Sequence, residues 1–112
     1  MNSIKPLFNL APELIEVMAA LGQRIRLARQ HRQLRVEDLA QKAQVSKKTV
    51  EAIERGAPGT SLGAYVAVLG CMNLAGELAL LADPAIDREG AALTYSTTDR
   101  RVRISRKLSN EF

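Results

Sequence analysis

LRVEDLAQKAQVSKKTVEAIERG, residues 34–56, decides how this chain folds. It reads as two short helices joined by a tight turn. Val36, Leu39, Ala40 and Ala43 step by 3, 1 and 3, which lines one helical face and predicts a helix over 36–43. Gln44-Val45 is the turn. Ser46 then stands where its side-chain oxygen can accept a hydrogen bond from a free backbone N–H two or three residues on. The second helix turns Val50 and Ile53 inward and Lys47, Lys48 and Glu51 outward. Gly56 ends it, because glycine enters the left-handed conformation without a Cβ penalty. A capped helix start bearing two lysines is a shape suited to a polyanion.

Within this stretch, LAQKAQVSKKTVEAIERG (39–56) resembles the helix-turn-helix of Cro/repressor-like, Xre-type DNA-binding proteins. The marks are the Leu39-Ala40 pair, the Val45-Ser46 opening of the second helix, the Val50/Ile53 core spacing and the Glu54-Arg55-Gly56 ending. The resemblance runs from about Leu21 to Gly76. It implies an all-α fold: a lambda-repressor-like bundle of about five helices, followed by a basic C-terminal extension. Two positions depart from the pattern. Gln44 stands where the family usually has glycine; a left-handed backbone there would cost on the order of 1 kcal/mol. Arg35 and Val36 stand where a Thr or Ser cap and a phosphate-touching Gln are usual. Valine has no donor, so that contact is lost or passes to Arg35.

At 112 residues the chain is expected to be one domain with tails. The expected parts are an irregular segment 1–11, a helix-turn-helix domain 12–84 and a basic tail 85–112. Tryptophan is absent and aromatics make up 4% of residues, so aliphatic side chains must fill the core. Cys71 is the single cysteine and has no internal disulfide partner, which fits a reducing cytoplasm. No run of 18 apolar residues suits a membrane span. The first residues lack the pattern of a signal peptide. The expected location is cytoplasmic, at the bacterial nucleoid.

Charge is unevenly placed. Residues 24–55 hold nine basic against four acidic side chains, a net +5. Residues 99–107 hold five basic against one acidic, a net +4, while 77–89 carry a local −3. Two basic zones around an acidic one suggest a polyanion-binding face and a separate basic tail.

Along the chain, Pro12 suits the first residue of a helix, where its missing N–H costs nothing. Leu14, Met18, Leu21, Ile25 and Ala28 step by 4, 3, 4 and 3, which predicts a helix over 12–31. Its second half is basic, with Arg24, Arg26, Arg29 and Arg32. The resemblance places Arg29 where the family pairs an arginine with the glutamate near the end of the recognition helix, here Glu54. That implies a partly buried ion pair pinning the first helix to the reader. Lone His31 reads as a surface residue. After the loop at 57–60, Thr60 or Ser61 can cap a fourth helix from Leu62 to about Met72, with Leu62, Tyr65, Leu69 and Met72 on one face. Cys71 reads as core. A fifth helix is expected over 74–82, stopped by Asp83-Pro84. In the family this region is a common dimer surface, which points to Leu74, Leu78, Leu80 and Leu81; filling the monomer's own core is the alternative. In the tail, RVRIS (101–105) fits a short strand or a disordered basic arm.

The expected chemistry is binding. No Gly-rich phosphate loop, His/Cys cluster or nucleophile motif with a histidine base is present, so no enzyme, cofactor or metal is expected. Residue by residue, the resemblance carries DNA contacts onto Ser46, Lys47, Lys48 and Thr49, with Glu51 or Ala52 deeper in the groove. Either lysine can reach guanine O6 and N7 or hold phosphate only. Arg35, Lys42 and Arg55 are the expected phosphate holders. The expected partners are double-stranded DNA with a palindromic operator and a second copy of the chain. The size, the Xre-like core and the extension LLADPAIDREG (80–90) also look like small HipB-like antitoxins, which implies a HipA-type kinase toxin as partner. A protein-interaction adaptor that keeps the fold without reading DNA is the alternative.

Overall fold

The computed structural model describes residues 9–94. It contains four α-helices: α1 (Pro12–His31), α2 (Val36–Ala43), α3 (Lys47–Arg55) and α4 (Leu62–Cys71). A 3₁₀ helix follows at Ala75–Leu80, and residues 88–94 are helical. No strand occurs among the described residues. The fold is all-α, as expected.

The described residues fall into two compact units, one ending at Leu78 and one starting at Ala79. In the first, nine apolar residues form the core: Ile25 from α1, Leu39 and Ala40 from α2, Val50 and Ile53 from α3, Tyr65, Val68 and Leu69 from α4, and Met72. Met18, Leu21, Ala28, Val36, Ala43 and Val45 pack around them. Each fully buried aliphatic side chain contributes about 1.5–3 kcal/mol relative to exposure, enough to hold four short helices that would be marginal alone. Helix α1 packs mainly on α3, and α2 packs on both α3 and α4.

The ends of α2 and α3 follow the local sequence. Gln44 adopts φ 57°, ψ 42° and closes α2 in the left-handed conformation that the missing glycine would have taken. Gly56 closes α3 at φ 75°. Ser61, rather than Thr60, caps α4: its Oγ accepts from the Ala64 N–H at 3.2 Å. The Tyr65 hydroxyl donates to the Ala57 carbonyl at 3.3 Å, so this buried phenol keeps a polar partner.

Three expectations need correction. The expected α-helix over 74–82 is a six-residue 3₁₀ turn. Asn73 at φ 63° and Ala82 at φ 59° bracket it. With three residues per turn, Ala75 and Leu78 share one side and both pack against the core. Leu62 is exposed rather than aligned with Tyr65 and Met72, because it begins α4 beyond the edge of the core. Cys71 is exposed as well, on the last turn of α4. Finally, residues 88–94, near the start of the expected basic tail, are helical; Asp87 starts them by accepting the Gly90 N–H at 2.9 Å. RVRIS lies outside the described residues.

Candidate nucleic-acid interface

The four arginines of the second half of α1 do different work. Arg29 Nε donates to Glu54 Oε2 at 2.7 Å, and its terminal nitrogen donates to Oε1 at 3.0 Å. Its other terminal nitrogen donates to the Leu34 carbonyl at 2.9 Å. The two side chains are 11% and 9% exposed, so this bidentate pair ties α1, the α1–α2 loop and the end of α3 together in a mostly dry setting. The hydrogen bonds to Glu54 hold the Arg29 guanidinium above its usual range, against the opposing effect of burial. Arg32 donates to the Ala28 and Met72 carbonyls, closing the far end of α1 onto the end of α4. Arg24 and Arg26 stay exposed. Arg29 was legible in the sequence. The role of Arg32 was not, since nothing local marks a bond across 40 residues.

The end of α3 is fixed by backbone contact. A Cβ built on Gly22 of α1 would lie 2.6 Å from the Glu54 and Ile53 carbonyl oxygens and 2.8 Å from the Gly56 nitrogen. Only a glycine lets the two backbones approach this closely. The sequence reading overlooked Gly22; its signal was a glycine inside an otherwise regular apolar stripe.

At its other end, α3 opens on Ser46, whose Oγ accepts from the Thr49 N–H at 3.1 Å and lies 2.8 Å from Thr49 Oγ1. The Thr49 hydroxyl is therefore engaged locally, and its methyl is left for an outside contact. Lys47 and Lys48 are both exposed, but they diverge. Lys47 Nζ lies 3.4 Å from Glu37 Oε1 on α2. Both side chains are more than half exposed, so this pair is weak and exchanges readily with other anions. Lys48 lines a shallow concavity of about 590 Å³ between α3 and the start of α4, with Val45, Ser46, Thr49, Ala52, Thr60 and Ser61. The capped N-termini of α3 and α4 both border it, and the partial positive charge at each favours an anion there. Gly59, Thr60, Ser61 and Ala64 on this rim were not among the expected site residues, because only the packing of α4 brings them alongside α3.

The remaining expected residues separate. Ala52 lines the concavity, whereas Glu51 is half-buried and does not. Lys42 and Arg55 are exposed, and among the described residues Lys42, Lys48 and Arg55 make no ion pair. Arg35 is committed to Asp38: its Nε and a terminal nitrogen donate to the carboxylate at 3.2 and 3.1 Å, and its backbone N–H donates at 2.9 Å. These bonds hold the Asp38 carboxyl below the ordinary aspartate value and the guanidinium above its own. Asp38 thus satisfies the backbone N–H of Arg35 at the start of α2. Leu74 and Leu78 pack against the chain's own core, while Leu80 and Leu81 are exposed. Among the described residues, no group of His, Cys, Asp and Glu has the arrangement of a metal site, and no helix is long and apolar enough to cross a membrane.

No significant match was found among curated proteins, and none among solved structures. A family model described as a helix-turn-helix domain matches residues 20–81, more than half of the chain and the whole span from mid-α1 through the 3₁₀ turn. The match includes the exposed, capped start of α3, and the chain belongs to the helix-turn-helix domain family.

Proposed function

We propose that this protein is a sequence-specific transcriptional repressor of the Xre/Cro type that binds a palindromic operator in double-stranded DNA as a homodimer. One observation carries the reading: Lys48, with no ion pair among the described residues, lines one concavity with Thr49 and Ala52 at the capped start of α3. An ammonium on the same concavity as two methyl-bearing residues suits the major groove, where guanine offers O6 and N7 and thymine offers its methyl. Ser46 and Lys47 meet phosphate at the helix start, Lys42 and Arg55 hold the strands to either side, and Glu51 sits one turn deeper. Arg35 shares its guanidinium between Asp38 and phosphate. A single reading helix spans a few base pairs; two on a dyad reach major grooves about 34 Å apart. The protein acts by binding, without a catalytic step, cofactor or metal, at the nucleoid in the bacterial cytoplasm. A narrower form makes it the antitoxin of a HipA-type kinase, repressing its own operon; the LLADPAIDREG extension supports this, and a co-purifying kinase would test it.

Gel shifts across a salt series test the main reading. Lys47→Ala with Lys48→Ala should weaken operator binding and flatten its salt slope by about 2, one for each lost phosphate or base-edge cation. Lys48→Ala alone should cost more than Lys47→Ala, because Lys47 is drawn toward Glu37 in the free protein. Unchanged affinity and slope in the double variant would remove the reading.

A second reading, a protein-interaction adaptor that does not read DNA, is favoured by α2. Arg35 is bound to Asp38 through two of its three guanidinium nitrogens and Val36 packs against the core, so the start of α2 offers phosphate less than the usual Thr or Ser and Gln would. Selection from a random DNA pool separates the two: a dyad-symmetric winner supports the repressor, and no enrichment beside a tightly bound protein supports the adaptor.

A further inference from the structure

Helix α1 is 20 residues, about 30 Å long, yet only Gly22 and Ile25 of it are fully buried. Its outer face carries a second pattern. Glu13, Val17, Ala20, Arg24 and Leu27 step by 4, 3, 4 and 3 and are all exposed, with Val17 at 62% and Leu27 at 42%. This is the spacing of a helix–helix seam, placed away from the side that packs on α3. The small residue, Ala20, sits at its centre, where two helix axes come closest.

Charge along this face runs in one direction. Glu13 and Glu16 lie in the first two turns, and exposed Arg24 lies in the second half. The helix dipole accounts for an acid in the first turn but not for a mid-helix Arg24. A uniformly basic or acidic partner would match one half and be repelled by the other. A second α1, running antiparallel about a dyad at Ala20, matches both: Glu16 of each copy then stands opposite Arg24 of the other.

We infer that a second copy of this chain docks antiparallel on the outer face of α1, centred on Ala20. This rests on the homodimer proposed above and gives it a surface different from Leu80 and Leu81. The pairing is isologous, as a two-fold dimer requires. It leaves the start of α3 uncovered, since α1 meets α3 through Gly22 and the far end near Gly56.

Sedimentation of the full chain without DNA, over a hundredfold range of concentration, tests this independently of operator binding. Wild type should sediment as a dimer. Ala20→Glu keeps a good helix former on an exposed position and sets two carboxylates together at the dyad; it should sediment as a monomer with an unchanged far-ultraviolet spectrum. Arg24→Glu should raise the dimer dissociation constant at least about tenfold, and Glu16→Arg with Arg24→Glu should return it toward wild type, because the exchange restores the match. A dimeric Ala20→Glu, or a double exchange no tighter than Arg24→Glu alone, overturns this surface and leaves the homodimer to Leu80 and Leu81. A wild type that stays monomeric overturns both.

Discussion

Gly22 lies against Glu54 so closely that a β-carbon on it would stand 2.6 Å from the Glu54 carbonyl oxygen. This contact sets the distance between α1 and α3, and with it the angle at which α3 leaves the body of the protein. All three neighbouring atoms, the Glu54 and Ile53 carbonyl oxygens and the Gly56 nitrogen, are backbone, so no side-chain rotation can relieve an added methyl. Gly22→Ala should therefore destabilise the fold by about 2–3 kcal/mol, against the small gain that alanine brings at an open helical site. Urea unfolding measures it. A Gly22→Ala protein as stable as wild type would mean that the helices separate without cost.

The Arg29–Glu54 pair should be worth most when one half is removed. Arg29→Ala or Glu54→Gln leaves the other partner mostly buried without its counter-charge, at a cost of about 3 kcal/mol. Arg29→Lys should rescue only a fraction, since an ammonium cannot serve both carboxylate oxygens and the Leu34 carbonyl in one plane. Thermal unfolding of the three variants should rank wild type above lysine and lysine above alanine.

Gln44 offers the opposite sign. Its φ of 57° places a side chain in the left-handed region, where glycine carries no steric penalty. Gln44→Gly should stabilise by about 0.5–1 kcal/mol after the larger unfolded-state entropy of glycine is counted. The gain should appear as a higher urea midpoint with an unchanged slope.

Acid should loosen the start of α2 first. The Asp38 carboxyl is held below its ordinary value near 3.8, mainly by the Arg35 side chain and then by the Arg35 backbone N–H. A depressed carboxyl stabilises the fold above its unfolded-state value, and that contribution is lost as the pH falls through the folded-state value. Wild type should therefore lose stability on acidification below about pH 4 more steeply than Asp38→Asn, which has no carboxyl to protonate there. Parallel slopes for the two proteins across that range would show that Asp38 gains nothing from Arg35. At the other extreme, burial pushes the Tyr65 phenol up, so its contribution is complete below its ordinary value near 10 and declines as the pH rises through the folded-state value.

Much of this protein was determined within short windows of its sequence. The bounds of α2 and α3, the Ser46 cap and the closing Gly56 rest on contacts no more than five residues apart, so periodicity and capping chemistry suffice to read them. Arg29 with Glu54 was also readable, through the family pattern rather than through local spacing. Tertiary packing decided the rest. It left Cys71 and Leu62 outside a core that their helix's composition suggested they would join. It reduced the expected fifth helix to a 3₁₀ turn and drew Leu74 and Leu78 onto the monomer's own core. It sent Lys47 toward Glu37 and Lys48 into the concavity beside α4, although the two are neighbours of one kind in the chain. The physical reason is common to all of these. A helix's own sequence specifies which residues share a face, but which part of that face is covered depends on where elements distant in the chain come to lie.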